Sequence, residues 1–433
     1  MKKLNDRGFV YSLTIVLLVL ILLSLILFYV YVSDIGLSDS ANTMETDDIH
    51  YYVEAVRMDF TRAASVSGQR AGVYAVDAIL KNGESLENYA YTPCSNLQTS
   101  LTGAPAAIAE LAYCGTYKGQ YAGPAPYMQN NTLRDWQTRA IAQGKELGYA
   151  VNLSITSFAV VPFDAMHYAL LAEVDLEVYS STNKSLYRGY GIPLFAVAGI
   201  NSMEDPLIYL KTKEPALLRY YAECPQAETL DGTETDSRLT TPCYLPSNEG
   251  PSFFDRLEGR INLSEKYRNQ SELMLSSLEL NVTPVGIESF INLDEVAKYA
   301  VPVTINLTWV DYAYFAGLPG YCTTNTAKYP EFRIDLNHAL SYNMRPLNCF
   351  VFVFFDGAAD SLNPSPIQVP AGTTITWVNA NYDLSHTIYV DDPGFGEPRD
   401  MPPLSQISWT FNSAGTYKAY DIRYSANGVV EVT

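Results

Sequence analysis

Basic residues are few: 28 Lys and Arg stand against 47 Asp and Glu, a formal net charge of −19. A phosphate backbone would be repelled by such a chain, which excludes nucleic acid as a partner. An acidic surface otherwise speaks for solubility and names no partner. Histidine is scarcer still: His50, His167, His338 and His386 are scattered, and no HExxH motif joins any of them. No GxSxG nucleophile elbow and no glycine-rich phosphate loop occurs, so neither an acyl-transfer nor a nucleotide site is legible. No CxxC pair exists, which argues against a zinc ribbon. With no catalytic constellation and no small-molecule substrate indicated, the chain reads as a non-enzyme.

What is present is apolar bulk. Hydrophobic residues make up 48% of the chain, enough for packed cores and against disorder. At 433 residues it exceeds one ordinary core, so two or three domains are expected. The six cysteines, Cys94, Cys114, Cys224, Cys243, Cys322 and Cys349, suit three disulfides in an oxidising compartment. Sequential pairing is expected because each successive couple brackets a loop-like stretch; reduced structural thiols are the alternative. Asn130, Asn152, Asn183, Asn262, Asn269, Asn281 and Asn306 each open an N-x-S/T sequon, against about three or four expected by chance. Val301, Val303, Ile305, Leu307 and Trp309 alternate with polar residues, so a strand there turns Asn306 outward. Asn152 stands in the same relation to Val151 and Leu153.

The longest apolar run is Phe9 to Val32, twenty-four residues without a charge. As a helix it measures about 36 Å, long enough to span a hydrocarbon core. Lys2, Lys3 and Arg7 precede it, whereas Asp34, Asp39, Glu45, Asp47 and Asp48 follow. Positive charge stays inside, so a single-pass cell-membrane protein is expected, N-terminus cytoplasmic and C-terminal ectodomain outside. A removable signal peptide fits less well, since the run is long and no small-residue cleavage site follows. The leader MKKLNDRG, followed at once by the apolar run, resembles a class III (type IV pilin-like) signal. That resemblance implies cleavage between Gly8 and Phe9. Bacterial pilins usually carry Glu at the fifth mature position, where this chain has Leu13, a departure that puts filament assembly in doubt, less so for archaeal forms. A plain uncleaved anchor stays open.

Residues 33–45 are polar and contain Gly36, which predicts a break or bend. Asp47 and Asp48 suit the start of a second helix. Its stripe is Ile49, Val53, Val56, Phe60 and Ala63, continuing through Val73, Val76 and Leu80 despite Gly68 and Gly72, with Asn82-Gly83 as its end. Residues 84–128 are loop-rich, and Leu133, Trp136, Ala140 and Leu147 mark another helix. From Tyr168 to Val178 the period becomes two, with Glu173, Asp175 and Glu177 on the wet face. A turn at 180–184 leads to a partner strand, Leu186 to Ala196, in an antiparallel sheet. Asp231 to Asp236 is acidic but lacks the full calcium-loop pattern, and reads as a solvated loop.

Four segments, Gly199 to Leu207, Gly250 to Gly259, Gly286 to Asp294 and Val310 to Phe315, resemble recurring segments of archaeal surface proteins with one N-terminal membrane helix. The resemblance covers roughly residues 1–340 and implies an archaeal cell surface, with no activity attached.

From about Phe350 short strands follow one another: Phe350 to Phe355, the turn and strand in Ile367 to Asn379, His386 to Val390, Trp409 to Phe411, Gly415 to Tyr417 and Gly428 to Val432. This spacing reads as a β-sandwich. The order VPAGTTITWVN, SHTIYV, WTFNSAGTYKAYD and GVVEV resembles a cupredoxin over about eighty-five residues. In that family a first His and a C-terminal loop supplying Cys, His and usually Met hold copper. Matched by position, His386 falls on the first His, Asp421 where Cys stands, and Tyr424 near the second His. The loop 422–427 is about one residue short and has no Met. Three of four ligands are therefore missing. His386 and Asp421, with Asp391 as an additional carboxylate, could hold a harder ion; the alternative is a hydrogen-bonded His386 in an ordinary sandwich. No cofactor is expected, copper being the one candidate.

The expected fold is a membrane-anchored α+β protein. It has a basic leader (1–8), a transmembrane helix (9–32), a helical stalk with a disulfide loop (33–160), an α+β ectodomain (161–345) and a cupredoxin-like sandwich (346–433). The expected function is a glycosylated cell-surface protein that meets other surface proteins or serves as a pilus-like subunit. A membrane-anchored copper or electron-transfer protein is the alternative.

Overall fold

The backbone from Asp6 to Asn82 is one helix of 77 residues, α1. The computed structural model describes residues 6–94, 97, 101–121, 128–180, 186–299, 306–357 and 360–433; along α1 the side chains of 6–17, 30 and 32–45 are not among those described. The expected break at Gly36 and fresh start at Asp47 do not occur. One glycine costs a helix only about 1 kcal/mol, and no proline stands between residues 6 and 82. The predicted stripe is present: Ile49, Val53, Val56, Phe60 and Val76 are buried, with Ala63, Val73 and Leu80 packed beside them. The Gly83 N–H donates to the Ile79 carbonyl at 2.7 Å and closes the helix where expected.

Helices α2 (Ala104–Cys114) and α3 (Leu133–Glu146) pack with α1 on an antiparallel sheet of β1 (Tyr149–Asp164), β2 (His167–Ser180) and β3 (Leu186–Gly199), in the order β1-β2-β3. Tyr168, Leu170, Ala172, Val174, Leu176 and Val178 of β2 are all buried beneath α1 and its neighbours, and Glu173 is exposed. Of the turn expected at 180–184, Ser180 is the last residue of β2 and residues 181–184 lie outside the described residues. The boundary placed at 160/161 cuts through β1, which pairs with β2 from Tyr149 to Asp164. The stalk and the next segment therefore share one sheet.

Beyond the sheet lie α4 (Gly232–Thr240), α5 (Phe253–Leu257), α6 (Glu265–Ser277) and α7 (Leu336–Ser341). The acidic stretch 231–236 is the start of α4, not a solvated loop. Asp231 caps it, accepting from Thr233 and Glu234 N–H at 2.8 and 2.9 Å. Asp236 is buried and accepts from the Ala327 and Lys328 N–H groups.

The last ninety or so residues form two facing sheets. Their strands are β4 (Asn348–Phe355), β5 (Asp360–Asn363), β6 (Ile367–Val369), β7 (Thr373–Asn379), β8 (His386–Val390), β9 (Arg399–Met401), β10 (Gln406–Phe411), β11 (Gly415–Asp421) and β12 (Ala426–Val432). One sheet runs β5-β4-β7-β10 and the other β6-β12-β11-β8-β9. Ile375, Trp377, Ile388, Val390 and Phe411 fill the space between them. The same core continues through Phe290, Trp309, Phe332 and Ile334, so position 345/346 separates no independent packing unit. Disulfides join Cys94 to Cys114, Cys224 to Cys243 and Cys322 to Cys349. The sequential pairing replaces the reduced-thiol alternative, and the third bridge ties β4 to the region before the sandwich.

Candidate functional site

The site indicated by the sequence lies at one end of the sandwich. His386 begins β8, Asp421 ends β11, and the two face each other two registers along: Ile388 pairs with Asp421. Both side chains are fully buried. His386 Nδ1 meets Asp421 Oδ2 in a short contact. Asp421 Oδ1 accepts from the Thr387 and Arg423 N–H groups at 3.0 and 3.1 Å. On the opposite edge of the ring, His386 Nε2 lies 2.9 Å from Asn381 Oδ1. Asn381 is itself clasped by Phe355, whose N–H donates to Oδ1 and whose carbonyl accepts from Nδ2, both at 2.9 Å. Asn379 Nδ2 fastens the neighbouring loop by donating to the Leu384, Met401 and Pro402 carbonyls at 2.7, 3.0 and 2.9 Å.

Tyr424 does come to His386. Its ring stands edge-on at 5.2 Å and stacks on Phe355 at 4.3 Å. Asp391 does not join them. It lies past the far end of β8, is exposed, and accepts from the Lys418 N–H at 2.5 Å.

This donor set does not fit copper. A metal at His386 needs a free lone pair on a ring nitrogen, yet both nitrogens are already engaged inside the protein. No thiolate stands near, because Cys322 and Cys349 are bonded to each other. Among the described residues no group of three or more His, Cys, Asp or Glu is placed to hold a metal ion.

Of the sequon asparagines, Asn130, Asn152, Asn262, Asn269, Asn281 and Asn306 are exposed. Asn183 lies outside the described residues, as do residues 301–305 of the strand expected over 301–309; its last four residues form no strand, only an isolated bridge from Leu307 to Pro319, and Thr308 and Trp309 are both buried. Gly8 and Phe9 are within α1, with side chains not described.

Two ionic clusters were not named as sites from the sequence. In the first, the guanidinium of Arg256 on α5 is fully buried between Asp205 and Asp311, at 2.7 and 2.9 Å. It also donates to the Ile287 carbonyl at 2.6 Å. Tyr221 and Tyr244 donate to Asp205 at 3.0 and 2.8 Å, and Ser289 donates to Asp311 at 2.9 Å. Burial, with Asp205 adjacent, pushes both phenols well above the ordinary tyrosine range. In the second, His338 on α7 lines a cleft of about 380 Å³ together with Glu249, Glu288 and Tyr342. Its Nδ1 meets Asp335 at 2.5 Å, and its Nε2 meets Tyr312 Oη at 2.8 Å and Glu288 at 3.2 Å. The first cluster had a signal. Asp205, Arg256, Ile287 with Ser289, and Asp311 come one from each of the four segments singled out above, which therefore converge on a single buried ion group.

No protein-family model and no curated protein matches the chain. Among solved structures, a methionine-to-alanine mutant of amicyanin with Cu(I) is 26% identical, over 19% of this chain and 80% of that one, with a TM-score of 0.17. A purple cupredoxin from Nitrosopumilus maritimus is 25% identical over 19% and 98%, TM-score 0.16. Amicyanin from Paracoccus versutus is 20% identical over 19% and 79%, TM-score 0.17. Among the described residues no helix is long and apolar enough to cross a membrane. Of the run 9–32 expected to do so, residues 9–17, 30 and 32 have no described side chains.

Proposed function

We propose that this chain is a non-enzymatic surface protein, held in a membrane by residues 9–32, that displays the sandwich outside the cell as a module for contact with other surface proteins. One observation carries the reading. The helix that forms the spine of the ectodomain from Ile49 onward has a bare apolar portion, in which Leu18 to Phe28, Tyr29 and Tyr31 have their large apolar side chains between 50% and 74% exposed. A continuous apolar patch of that kind calls for a cover, and a bilayer supplies it for a run preceded by Lys2, Lys3 and Arg7 and followed by no basic residue before Arg57. The three disulfides suit an oxidising compartment, and the six exposed sequons are available to a glycosylating enzyme on that side.

The test is fractionation of cells producing the full chain. The protein should stay in the membrane pellet through alkaline carbonate, and external protease should remove the sandwich. A chain lacking residues 1–32 should leave the pellet. Recovery of the intact protein in the soluble fraction with all thiols reactive would overturn the reading. Mass spectrometry of the mature N-terminus separates the two forms of anchor: Phe9 first marks a pilin-like processed chain, Met1 a plain anchor.

A further inference from the structure

We propose that α1 carries a second contact surface outside the membrane. Its solvent face around Tyr51, Ala55 and Met58, with the cleft beside it against α3, takes a helix of another surface protein that presents an apolar row bordered by lysine or arginine. The residues of α1 that pack on the sheet, Val53 and Phe60 among them, lie on the opposite side of the helix. Tyr51 and Met58 are 71% and 75% exposed, and Ala55 is exposed between them. In the sequence the step of seven from Met58 to Tyr51 continues back to Met44 and Leu37, all within α1. A seven-residue apolar repeat is the pattern of a helix that meets a second helix along its length. The bilayer does not supply that cover, because Met58 stands about 39 Å along the axis beyond Val32, at 1.5 Å per residue.

Charge selects the occupant. Asp34, Asp39, Glu45, Asp47, Asp48 and Glu54 accompany the row in sequence, and no lysine or arginine stands between Arg7 and Arg57. A second copy of the same helix alongside would bring these carboxylates together, and like charges work against pairing. A helix bordered by cations meets them with opposite sign. The cleft between α1 and α3 narrows the choice further. It has a volume of about 410 Å³, and Tyr52, Ala55, Val56, Asp59, Glu146 and Leu147 are on its walls. Leu147, just past the end of α3, is 63% exposed. Asp59 is held in place by the Trp136 Nε1–H, which donates to its Oδ2 at 2.9 Å. Apolar walls with two carboxylates among them suit the stem and the charged head of a lysine or arginine side chain. This surface rests on the reading of the chain as one that meets other surface proteins, and adds a contact separate from the sandwich.

The probe is a labelled synthetic helix of about three heptads, with leucine along its apolar row and lysine at the bordering positions. Its control carries glutamate in place of the lysines. The full chain in detergent should bind the lysine probe above the background of empty micelles, and the control at least about tenfold more weakly. Met58→Glu, and Ala55→Arg, which fills the cleft with a cation of the chain's own, should each weaken the lysine probe by about tenfold. Both positions are exposed, so the melting temperature should not change. Equal binding of the two probes, or undiminished binding of the lysine probe to either variant, would overturn the inference. Because all six native cysteines are paired, Met58→Cys reports on a second copy. Oxidation of membranes holding that variant should leave the chain monomeric, and a disulfide-linked dimer would overturn the choice of occupant. Probe binding is read on the isolated chain, so its failure leaves the membrane anchor standing, and a chain found soluble on fractionation leaves the probe result standing.

Discussion

Asp205 and Asp311 hold the same guanidinium, that of Arg256, on separate Nη atoms at 2.7 and 2.9 Å, with all three side chains fully buried. Two carboxylates share one cation there, and the local excess of negative charge is met by hydrogen bonds from Tyr221, Tyr244, Ser289 and the Leu207 and Tyr312 N–H groups. The arrangement links segments spread across more than a hundred residues of chain and fixes how they pack.

Removing the cation should therefore be severe. Arg256→Met leaves two buried carboxylates facing one another, and loss of one member of a buried pair costs about 3–5 kcal/mol. Arg256→Lys should recover little, because an ammonium cannot reach both carboxylates and the Ile287 carbonyl in one plane. Urea denaturation of the three proteins checks both expectations; a Met variant within 1 kcal/mol, by order of magnitude, of the wild type would contradict the role given to Arg256.

Helix α2 begins at a position that needs help from elsewhere in the chain. Its N-cap is Gly103 at a φ of 76°, with no side chain to cap the helix. Glu258 supplies the missing acceptor, taking the Ala104 N–H at 2.9 Å and the Tyr267 hydroxyl at 2.5 Å. Burial pushes its carboxyl up, and the Tyr267 and Ala104 bonds pull it down. Glu258→Ala should cost about 1–2 kcal/mol, the value of a lost cap. Gly103→Ala should cost at least as much, since the added Cβ would lie 2.1 Å from Glu258 Oε1. Thermal melts of the two single variants and the double variant check this: the double should cost less than the sum, because both act on one contact.

The His338 cluster sets an alkaline limit. Burial works against the charged ring, but Asp335 and Glu288 outweigh it and push the imidazole up to about 10. A folded value raised above the unfolded one of about 6.5 stabilises fully below that lower value. The contribution then fades as pH rises through about 10. His338→Gln should flatten the fall in melting temperature between neutral and strongly alkaline pH. If the wild type and the variant lose stability in parallel over that window, the pairing contributes nothing.

These features were unequally visible in the sequence. The sandwich strands with clear alternation were legible, and His386 to Val390 is met to the residue. Strands β5 and β9 were not, because Asp360-Ser361 and Arg399-Asp400 are polar edge segments with too little apolar period to register. Arg256 lies in one of the four segments singled out by resemblance, but its short helix Phe253–Leu257 carries no pattern that marks the arginine as buried; only tertiary packing brings Asp205 and Asp311 to it. The resemblance to a cupredoxin linked His386 with Asp421, whereas the amide that closes the other side of the ring belongs to a loop without a pattern.

Gly68 and Gly72 are the last case, and they yield a prediction of opposite sense to the one propensity suggests. On helix propensity alone, replacing either glycine with alanine should stabilise α1 by up to about 1 kcal/mol. In the fold both face the sheet. A Cβ on Gly68 would stand 2.6 Å from Leu170 Cδ1, and one on Gly72 would stand 2.7 Å from the Tyr168 hydroxyl. That hydroxyl donates to the Gly68 carbonyl at 2.6 Å, so the two glycines let a buried tyrosine reach the helix backbone. Gly72→Ala must displace the hydroxyl from its only acceptor among the described residues, in a fully buried site. The expected result is a net loss of about 1–3 kcal/mol through overpacking and an unsatisfied phenol. Gly72→Ala combined with Tyr168→Phe should recover part of it, since the phenylalanine has no hydroxyl to displace. Equal stability of the single and double variants in chemical denaturation would show that the hydroxyl is not what the glycine protects.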